Sequence, residues 1–513
     1  MKFFVNRFAR KTLTKTTINE VYKMKLFEIA RQFDAPSYNT LLEFRGRIVI
    51  LGFGSVGQAI LPLIIRHFRV PESNLVVVEK DDNSILFKDR YGQTDISYLP
   101  NTEIVRENLD SVLSELLTPG DFLVNVSLNI DGIELVKWCL QHDVLYIDTS
   151  IERWQDSPDE TIPSLADRTL YHAHQQLREE TAPWKNSGPT CVVTHGANPG
   201  LVTHFTKAAL LDIAHEMGIS TATPSSRDEW ANLMQMTGTK VIHVSEKDTQ
   251  VIDRPKEPGE FVNTWSCEGF WAEGRAPAEL GWGTHENEKP VGGDIHYEGP
   301  NNAAYLFQPG MSTLVKSWVP LGGSFNAFVI QHSEAITISE YFSVTNDFGE
   351  IVYRPTVHYA YQPCDAAIVS VHETRGRDLD MQQACRVAKD EIVSGIDELG
   401  VLLMGHGKNA WWYGSQLGID EARRLVPHEN ATSVQVAASM LGAMTWAINN
   451  PRMGCVEPEE LPFDQVLKIA KPYLGPMLSV QSDWSPIADR GQLFDNYFDE
   501  LNPWSFENFR IWW

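Results

Sequence analysis

The feature that most constrains the fold of this chain is a glycine-rich turn, GFGSVG, at residues 52–57. It follows a short β-branched apolar run at 47–51 and precedes a segment with the length and apolar face of a helix. In this pattern Gly52 allows the tight turn, Gly54 lets the backbone approach a pyrophosphate, and Gly57 lets the helix pack on the strand. The arrangement predicts a Rossmann unit that binds a dinucleotide.

A second predicted strand ends in the acid that such a unit uses. Glu79 closes the run NLVVVE and lies 22 residues after Gly57. An acid at this place accepts hydrogen bonds from the ribose hydroxyls and repels a 2′-phosphate, so we expect the cofactor to be NAD rather than NADP. The expected NAD site comprises Gly52, Gly54, Ser55, Val56, Gly57 and Glu79, together with Asn125 and Asp148 from the two buried strands that follow.

The alternation of strands and helices up to about residue 200 predicts a parallel sheet with helical crossovers. Buried strands are expected at 121–129 and 144–152, with a helix between them. Later strand-like runs at 240–246, 326–344 and 356–373 stand among loops rich in glycine, proline and tryptophan, which favours an antiparallel sheet.

We therefore expect an α/β protein with two main domains. The N-terminal Rossmann NAD-binding domain spans 46–200, after a flexible basic leader at 1–45. A mixed α+β catalytic domain with a largely antiparallel sheet spans 201–375. The C-terminal segment, 376–513, is expected to be helical and to pack back on the first domain, with helices at 384–397, 418–425 and 434–449.

The composition excludes several kinds of partner. The 43 basic and 67 acidic residues leave a net charge of −24, which argues against nucleic-acid binding and is compatible with cationic substrates. There is no run of eighteen apolar residues, so we expect no membrane span. The six cysteines are far apart and form no CxxC pair, which predicts no metal centre and favours a reducing cytoplasm.

Two further segments have candidate site residues. Residues 263–284 contain three tryptophans and three glutamates, a combination that suits alkylammonium groups but equally describes core tryptophans beside solvated acids. They are Trp265, Trp271, Trp282, Glu268, Glu273 and Glu279. The turn HGANPG at 195–200 joins a strand to a helix, and it either borders the nicotinamide or serves only as a turn.

Several long strings closely resemble bacterial homospermidine synthases, which belong to the saccharopine dehydrogenase-like superfamily. They include GFGSVGQAILPLIIRHF, THGANPGLVTHF, NTWSCEGFWAEG, HYAYQPCDAA and GIDELGVLLMGHGKNAWWYGSQL, and the resemblance covers about residues 46–510. It implies that two putrescines, or putrescine and the aminobutyl group of spermidine, are joined into sym-homospermidine. The resemblance also implies that NAD is retained in a closed redox cycle and that the enzyme is a cytoplasmic homodimer.

The resemblance assigns roles to residues that match the family motifs. It implies that Trp265 is a cation–π residue, that Glu273 is the carboxylate beside it, and that Glu246 engages the substrate amine. It also places Asn198 near the nicotinamide. His332 and Glu334 are implied to be a site pair, and as residues i and i+2 they are expected to share one strand face.

The resemblance breaks at one position of the expected site. The family commonly reads Cys-Asn-Asp-Ala where this chain reads Cys-Asp-Ala-Ala, so the acid has moved one place, to Asp365, and Ala366 stands in its position. On a strand one place means the opposite face, so Asp365 is expected to replace the family's acid only if the backbone bends.

Two other readings of the sequence remain. A net NAD(P)-dependent dehydrogenase of the saccharopine or carboxynorspermidine type would act on carboxylates and would need an Arg or Lys clamp. The tryptophan and glutamate segment has only Arg275, which favours a diamine substrate. A non-catalytic NAD sensor would bind NAD tightly without turning over any amine.

Overall fold

The structure, a computed structural model, describes residues 40–154, 164–220, 222–488 and 498–512. The predicted basic leader lies outside the described residues up to residue 39. The described chain already forms a strand at Leu42–Glu43, which pairs with Phe68–Arg69, so regular structure begins before residue 46.

The first part of the chain alternates strands and helices. Its strands are β1 (Leu42–Glu43), β2 (Ile48–Leu51), β3 (Phe68–Arg69), β4 (Leu75–Val78), β5 (Ser97–Leu99), β6 (Phe122–Asn125), β7 (Leu145–Asp148) and β8 (Cys191–Val192). Its helices are α1 (Ser55–His67), α2 (Ser84–Tyr91), α3 (Leu109–Leu116), α4 (Gly132–His142), α5 (Leu170–Thr181) and α6 (Leu201–Glu216).

The second part is richer in strands. They are β9 (Val241–Asp248), β10 (Val251–Ile252), β11 (Glu260–Asn263), β12 (Pro277–Gly281), β13 (Gly293–Ile295), β14 (Ala303–Pro309), β15 (Leu314–Val319), β16 (Gly323–Phe328), β17 (Val344–Thr345), β18 (Ile351–Tyr353), β19 (Thr356–Gln362), β20 (Ala384–Val387), β21 (Ile392–Ser394), β22 (Ile396–His406), β23 (Asn409–Gly418), β24 (Cys455–Val456) and β25 (Met477–Ser482). The helices are α7 (Arg227–Thr237), α8 (Cys267–Arg275), α9 (Ser333–Tyr341), α10 (Asp365–Gly376), α11 (Ile419–Leu425), α12 (Ala431–Asn449), α13 (Phe463–Ala470) and α14 (Phe506–Phe509).

The first sheet is parallel throughout, in the order β24-β8-β7-β6-β2-β4-β5. Without β24 this is the strand order 3-2-1-4-5-6 of dinucleotide-binding folds. All four residues of β2, β4, β6 and β7 are buried, as expected for a parallel sheet with both faces covered. The predicted Rossmann sheet is confirmed.

The second sheet has ten strands, with β13-β14-β12-β19-β9-β22-β23-β25 as its main path and β15 and β16 attached beside β19. Only β9 and β19 pair in parallel; the other pairs in this sheet are antiparallel. The predicted fold class, a Rossmann unit followed by a mixed domain with a largely antiparallel sheet, is confirmed.

Two of the predicted strand runs were only partly right, because each turns into a helix. The run at 326–344 is strand β16 only to Phe328 and becomes helix α9 at Ser333, and the run at 356–373 becomes helix α10 at Asp365. Their β-branched residues mimic strands, but Ile336 and Ile338 are fully buried in a helix that packs on the second sheet. Tertiary packing therefore overrides local propensity in both segments.

The predicted helix at 384–397 was wrong. This segment forms β20 and β21 and the start of β22, and β20 pairs in parallel with β11. The long hairpin β22–β23 then joins the second sheet, so residues 376–513 are not a purely helical segment. The predicted helices at 418–425 and 434–449 are present as α11 and α12, and α12 packs against α1.

Helix α12 is the only described helix whose length and composition would suit a membrane span. In its most apolar window 89% of the residues are buried inside the protein. Its Asn430 cap accepts a hydrogen bond from the backbone N–H of Ser433. The apolar character of α12 therefore serves the core between the two sheets.

The packing of α1 on β2 predicts that Gly57→Ala is destabilising. A Cβ at Gly57 would lie 2.1 Å from the carbonyl oxygen of Gly52, a backbone atom that cannot rotate away. We expect a loss of about 1–3 kcal/mol, typical of overpacking, and a melting temperature lower by several degrees. Gly376→Ala, where an added Cβ meets nothing within 4 Å, is the matched control for thermal unfolding. Equal melting temperatures for the two variants would contradict this account of the packing.

Candidate active site

A cavity of 710 Å³ lies between the first sheet and the segments that follow it in the chain. One wall is built at the carboxyl ends of β2, β4, β6 and β7, where ligands bind in open parallel sheets. The opposite wall comes from β9, β19, α8 and the loop before α8. The volume is that of a site for a cofactor and a small substrate.

The glycine turn has the geometry that its sequence predicted. Gly52 has φ 98°, and an added Cβ there would meet the carbonyl oxygen of Val126 at 2.7 Å. Gly54 is exposed at the cavity, with nothing within 4 Å of an added Cβ. Ser55 and Val56 open helix α1 and also line the cavity. The first turn of α1 has no side-chain cap, so its N–H groups are available to an anion.

Glu79 follows β4 and lines the same part of the cavity, with 7% of its surface exposed. Its carboxylate accepts hydrogen bonds from the backbone N–H of Phe53 and, at 3.2 Å, from that of Asp81. A carboxylate has about four acceptor positions, so capacity remains for ribose hydroxyls. Glu79 therefore both holds the glycine turn and can select the cofactor.

Asn125 and Asp148 do not line the cavity, in contrast to the prediction. Asp148 is buried at the end of β7, where its Oδ2 accepts a hydrogen bond of 2.8 Å from Tyr146 and its Oδ1 accepts one from the N–H of Thr194. Burial raises the pKa of Asp148 to about 7. Asn125 bonds to Tyr146 and Ser127. Both side chains therefore support the strand ends from inside the protein.

The other end of the cavity is acidic. Besides Glu79, Glu103 and Glu107, the cavity wall includes four glutamates that we assign to this end: Glu152 after β7, Glu246 on β9, and Glu268 and Glu273 on α8. Burial and the nearby charge of Glu273 raise the pKa of Glu152 to about 7. Burial also raises the pKa of Glu246, which is 2% exposed. Carboxylates in such a site gain most from a cationic ligand, which replaces their lost hydration.

Glu246 is held by the turn that follows β8. Its Oε2 accepts hydrogen bonds from Asn198 Nδ2 at 2.8 Å and from the Tyr359 hydroxyl at 2.6 Å. Asn198 lies on the cavity wall beside Pro199, and the peptide bond between them is cis. The structure thus brings together the predicted residues Asn198, from the turn after β8, and Glu246, from strand β9.

His332 lies between two carboxylates. Its Nε2 is 3.1 Å from Glu273 Oε2 and its Nδ1 is 3.2 Å from Glu334 Oε1. Burial lowers the pKa of His332, but the two carboxylates outweigh it and raise the pKa to about 10, so the ring is an imidazolium at neutral pH. Glu334 itself lies behind His332, outside the cavity wall.

The expectation that His332 and Glu334 share a strand face was wrong. His332 is the residue before helix α9, and Glu334 lies in its first turn. The two side chains come together because the backbone changes direction where helix α9 begins, and not because alternate residues of a strand share a face. The ring of His332 also packs 4.3 Å from that of Tyr359.

Trp265 is the one tryptophan of its segment that reaches the cavity. It lies just before helix α8, and its Nε1 donates to the Tyr361 hydroxyl at 3.1 Å. Trp271 instead donates to the carbonyl of Leu379, and Trp282 is buried in the core. Of the glutamates, Glu279 is buried away from the cavity, where it caps backbone N–H groups of helix α5.

Asp365 does not reach the cavity. It is the first residue of helix α10 and is exposed, so the strand argument about its shift by one place does not apply. An acid in the first turn of a helix interacts favourably with the helix dipole.

Sequence reasoning missed several residues of the wall, of which Glu152, Trp154, Ser127 and Tyr359 are examples. Glu152, Trp154 and Ser127 follow strands β6 and β7, and the position just after a parallel strand was a usable signal. Tyr359 is on β19 and is paired with Val244 of β9, a contact between strands 115 residues apart that no local pattern reveals.

Fold and site together define a dinucleotide-dependent enzyme whose cavity has carboxylates and tryptophan side chains at the end away from the glycine turn. Residues 48–192 match the saccharopine dehydrogenase NADP binding domain, and residues 196–481 match the saccharopine dehydrogenase C-terminal domain. The chain therefore has the architecture of the saccharopine dehydrogenase group.

Full-length relatives narrow this group. The chain is 41% identical to a homospermidine synthase of Blastochloris viridis over 93% of this chain and 98% of the relative, and 41% identical to that of Mesorhizobium japonicum over 91% and 97%. A crystal structure of a homospermidine synthase from Legionella pneumophila in complex with NAD is 42% identical, covers 91% of this chain and 98% of its own, and has a TM-score of 0.84. The chain belongs to the homospermidine synthase family.

The position of Glu79 predicts a preference for NAD over NADP. Its charge repels a 2′-phosphate, and the neutral amide in Glu79→Gln does not. We expect the ratio of the NADP dissociation constant to the NAD dissociation constant to be about tenfold smaller in Glu79→Gln than in the parent protein. Titration of both cofactors measures the ratio, with Asp82→Asn, an exposed acid outside the cavity wall, as the control. Parent protein that binds NADP as tightly as NAD would refute the assignment.

Proposed function

We propose that this chain is an NAD-dependent homospermidine synthase. It joins two putrescines, or putrescine and the aminobutyl group of spermidine, into sym-homospermidine. The observation that carries the proposal is a single cavity with a glycine turn at one end and carboxylates with a tryptophan at the other. A cavity of this kind supports the proposal because it suits a diamine beside a dinucleotide.

The distribution of charge along the cavity supports a diamine substrate. Among the described residues of the wall, the only Lys and Arg are Lys80 and Arg106. Lys80 adjoins Glu79, and Arg106 follows a segment tied to Glu79 by a 3.0 Å backbone hydrogen bond from Thr102. Lys80 thus belongs to the cofactor end, whereas the guanidinium of Arg106 packs over the ring of Trp154 and is paired with Glu134. In the described part of the wall, the cation beside Glu273 is His332, which is already paired with Glu273 and Glu334, so it is not available to clamp the carboxylate of a saccharopine-type substrate.

The glycine turn and Glu79 suit NAD as the cofactor, because the wall at Gly54 leaves room for a pyrophosphate. Gly52, Gly54, Ser55, Val56 and Glu79 would hold it. The chemistry that NAD would supply here is hydride transfer, from the amine-bearing carbon of one putrescine and back to the carbon–nitrogen double bond formed with the second. The amine of the second putrescine replaces the first nitrogen, which leaves the oxidised carbon as ammonia. The net redox change is zero because the hydride is returned.

The residues at the substrate end have complementary tasks. The face of Trp265 and the charge of Glu273 stabilise a cationic carbon–nitrogen bond without attacking it. Glu246, whose pKa is raised by burial, would take the proton that an ammonium group must lose before it reacts. Asn198 orients Glu246, and Glu334 orients His332.

Incubation of the purified protein with NAD and putrescine tests the proposal. We expect a product with the mass of sym-homospermidine, about one ammonia per product, and no net formation of NADH. NADH that accumulates in step with product would identify a net dehydrogenase of the saccharopine or carboxynorspermidine type. Tight NAD binding without turnover of any amine would identify a sensor.

We further propose that the protein acts in the cytoplasm as a homodimer, without nucleic-acid or membrane partners. These proposals follow from the family resemblance and from the net charge of −24. Light scattering after size exclusion measures the oligomeric state, and a monomer at micromolar concentration would contradict it.

Trp265 and Glu273 generate a prediction about turnover. Trp265→Phe keeps a weaker aromatic face and should lose about tenfold or less in kcat, since such a face contributes about 0.5–2 kcal/mol. Trp265→Ala should lose more in kcat than in putrescine affinity, because charge develops during the reaction. Glu273→Gln should cost more than the Phe change, since it also breaks the ion pair with His332.

The same segment offers a matched control. Trp271→Phe alters a tryptophan six residues away that does not line the cavity, and it should retain parent kcat. NAD affinity should be unchanged in all four variants. If Trp265→Ala folds normally and turns putrescine over at the parent rate, Trp265 has no part in the site.

The raised pKa of Glu152 generates a prediction about pH. With a pKa of about 7 in the free protein, the carboxyl is largely neutral at pH 6 and charged at pH 8. A diammonium ligand favours the charged form, so putrescine affinity should rise between pH 6 and 8 with release of protons. Calorimetry in buffers of different ionisation enthalpy measures that release. Glu152→Gln should reduce the rise in affinity and leave the part due to Glu246, whose pKa burial also raises to about 7. An unchanged pH profile in Glu152→Gln would contradict the assignment.

A further inference from the structure

A cluster of charged and polar side chains lies behind the glycine turn, outside the cavity wall. It consists of Gln58, Arg90, Lys389 and Glu429, and we call it the tether cluster. Gln58 and Arg90 come from helices α1 and α2 of the first domain. Lys389 and Glu429 come from segments more than 290 residues later in the chain.

Lys389 and Arg90 share the same two acceptors. Lys389 Nζ lies 2.8 Å from Gln58 Oε1 and 3.0 Å from Glu429 Oε2. Arg90 lies 3.2 Å from Gln58 Oε1 and 3.3 Å from Glu429 Oε1. The side chain of Glu429 is wholly buried, whereas those of Arg90 and Lys389 are 16% and 17% exposed. The cluster is therefore a largely desolvated ion group of two cations and one anion.

On one side the tether cluster holds the glycine turn. Gln58 Nε2 donates to the carbonyl oxygen of Phe53 at 2.8 Å, and the N–H of Phe53 donates to Glu79. Phe53 stands between Gly52 and Gly54, so both polar groups of this turn residue are bound. The position of the turn thus depends on Gln58 as well as on Glu79.

On the other side the tether cluster adjoins the loop of Trp265. Asn430, next to Glu429, donates from its side-chain amide to the carbonyls of Thr264 and Ala388. Thr264 precedes Trp265, and Ala388 precedes Lys389 and donates its N–H to the carbonyl of Asn263 at 2.7 Å. A continuous series of hydrogen bonds and peptide links therefore joins the cofactor acid Glu79 to the loop of Trp265.

Because burying these charges is costly, we infer that the tether cluster fixes the positions of the segments it joins rather than adding to the stability of the fold. Well-packed apolar residues usually stabilise a protein as well as a buried ion group does, because desolvation offsets much of the attraction. Charged groups nevertheless set one geometry, since each oxygen and N–H must meet a partner. The tether cluster joins the glycine turn to the loop of Trp265, and ligand binding requires a defined geometry at both.

We propose that Gln58, Arg90, Lys389 and Glu429 are positioning residues that couple the NAD site to the Trp265 loop. They hold the glycine turn for the pyrophosphate, and through Asn430 they make amine binding depend on bound NAD. The dependence of amine binding on NAD, which is the second half of this proposal, rests on the proposed function. The first half, the positioning of the glycine turn, concerns the cofactor alone.

Titration with NAD tests the first half. Lys389→Met removes one cation and leaves Arg90 paired with Glu429, so NAD affinity should fall about threefold. Glu429→Gln leaves two cations side by side without their anion and should weaken NAD about tenfold or more. The double variant Lys389→Met with Glu429→Gln retains Arg90 as the one cation of the cluster. It should bind NAD better than Glu429→Gln alone, because the residues act as one group.

A surface ion pair provides the matched control. Arg452 and Asp143 form a bidentate pair whose side chains are 61% and 41% exposed. Arg452→Met should leave NAD affinity unchanged, because neither residue of the pair lines the cavity and an exposed pair contributes little to stability. Parent NAD affinity in both Lys389→Met and Glu429→Gln, with folding retained, overturns the proposal.

Titration of putrescine with and without saturating NAD, in the parent protein and in Glu429→Gln, tests the second half, the coupling of amine binding to NAD. In the parent protein, saturating NAD should tighten putrescine binding by at least about fivefold, a typical coupling between sites. In Glu429→Gln this factor should fall toward one even at saturating NAD, a change that a merely structural loss of melting temperature does not produce. A parent factor of one, or an unchanged factor in the variant, overturns the coupling. If the parent converts no putrescine, the proposed function fails instead, and the NAD titrations still decide the role of the cluster.

Discussion

The rest of the structure depends on the close approach of helix α1 to strand β2. Because Gly57 has no side chain, the first turn of the helix comes against the carbonyl of Gly52, and the turn between them opens its N–H groups to the cavity. The parallel strands on either side carry Glu79 and Ser127 to the same edge. One tight contact thereby sets where a dinucleotide lies, and hence where a substrate must be brought to meet it.

The second sheet brings the substrate end to that point. Parallel pairing of β9 with β19 aligns Glu246 with Tyr361 and places Tyr359 where its hydroxyl reaches Glu246. Glu273 from helix α8 and Glu334 from α9 then enclose His332. Several carboxylates share a confined space, and their mutual repulsion and lost hydration favour a cation. The chemistry proposed for the cavity follows from this electrostatic demand.

Sequence patterns predicted correctly those features that depend on residues close together in the chain. The glycine turn, Glu79 and the strand alternation of the first 200 residues all obey short-range rules, and the long family strings indicated the homospermidine synthase family. They failed where β-branched residues lie in helices, as in α9 and α10, and where a helix-like segment at 384–397 forms strands. In those segments burial against a distant sheet decides the backbone conformation, and a local window does not contain that information.

By itself, the sequence determined the Rossmann unit, the preference for a dinucleotide and the tryptophan and glutamate segment of the substrate end. Only the tertiary structure decided which of these residues meet: it retained Trp265 and Glu273, placed Asp365, Asn125 and Asp148 outside the cavity wall, and added Glu152 and Tyr359. It also revealed the tether cluster, whose members lie up to 371 residues apart. The physical reason is that spacing along the chain specifies contacts within an element, whereas contacts between elements depend on how two sheets and their helices pack.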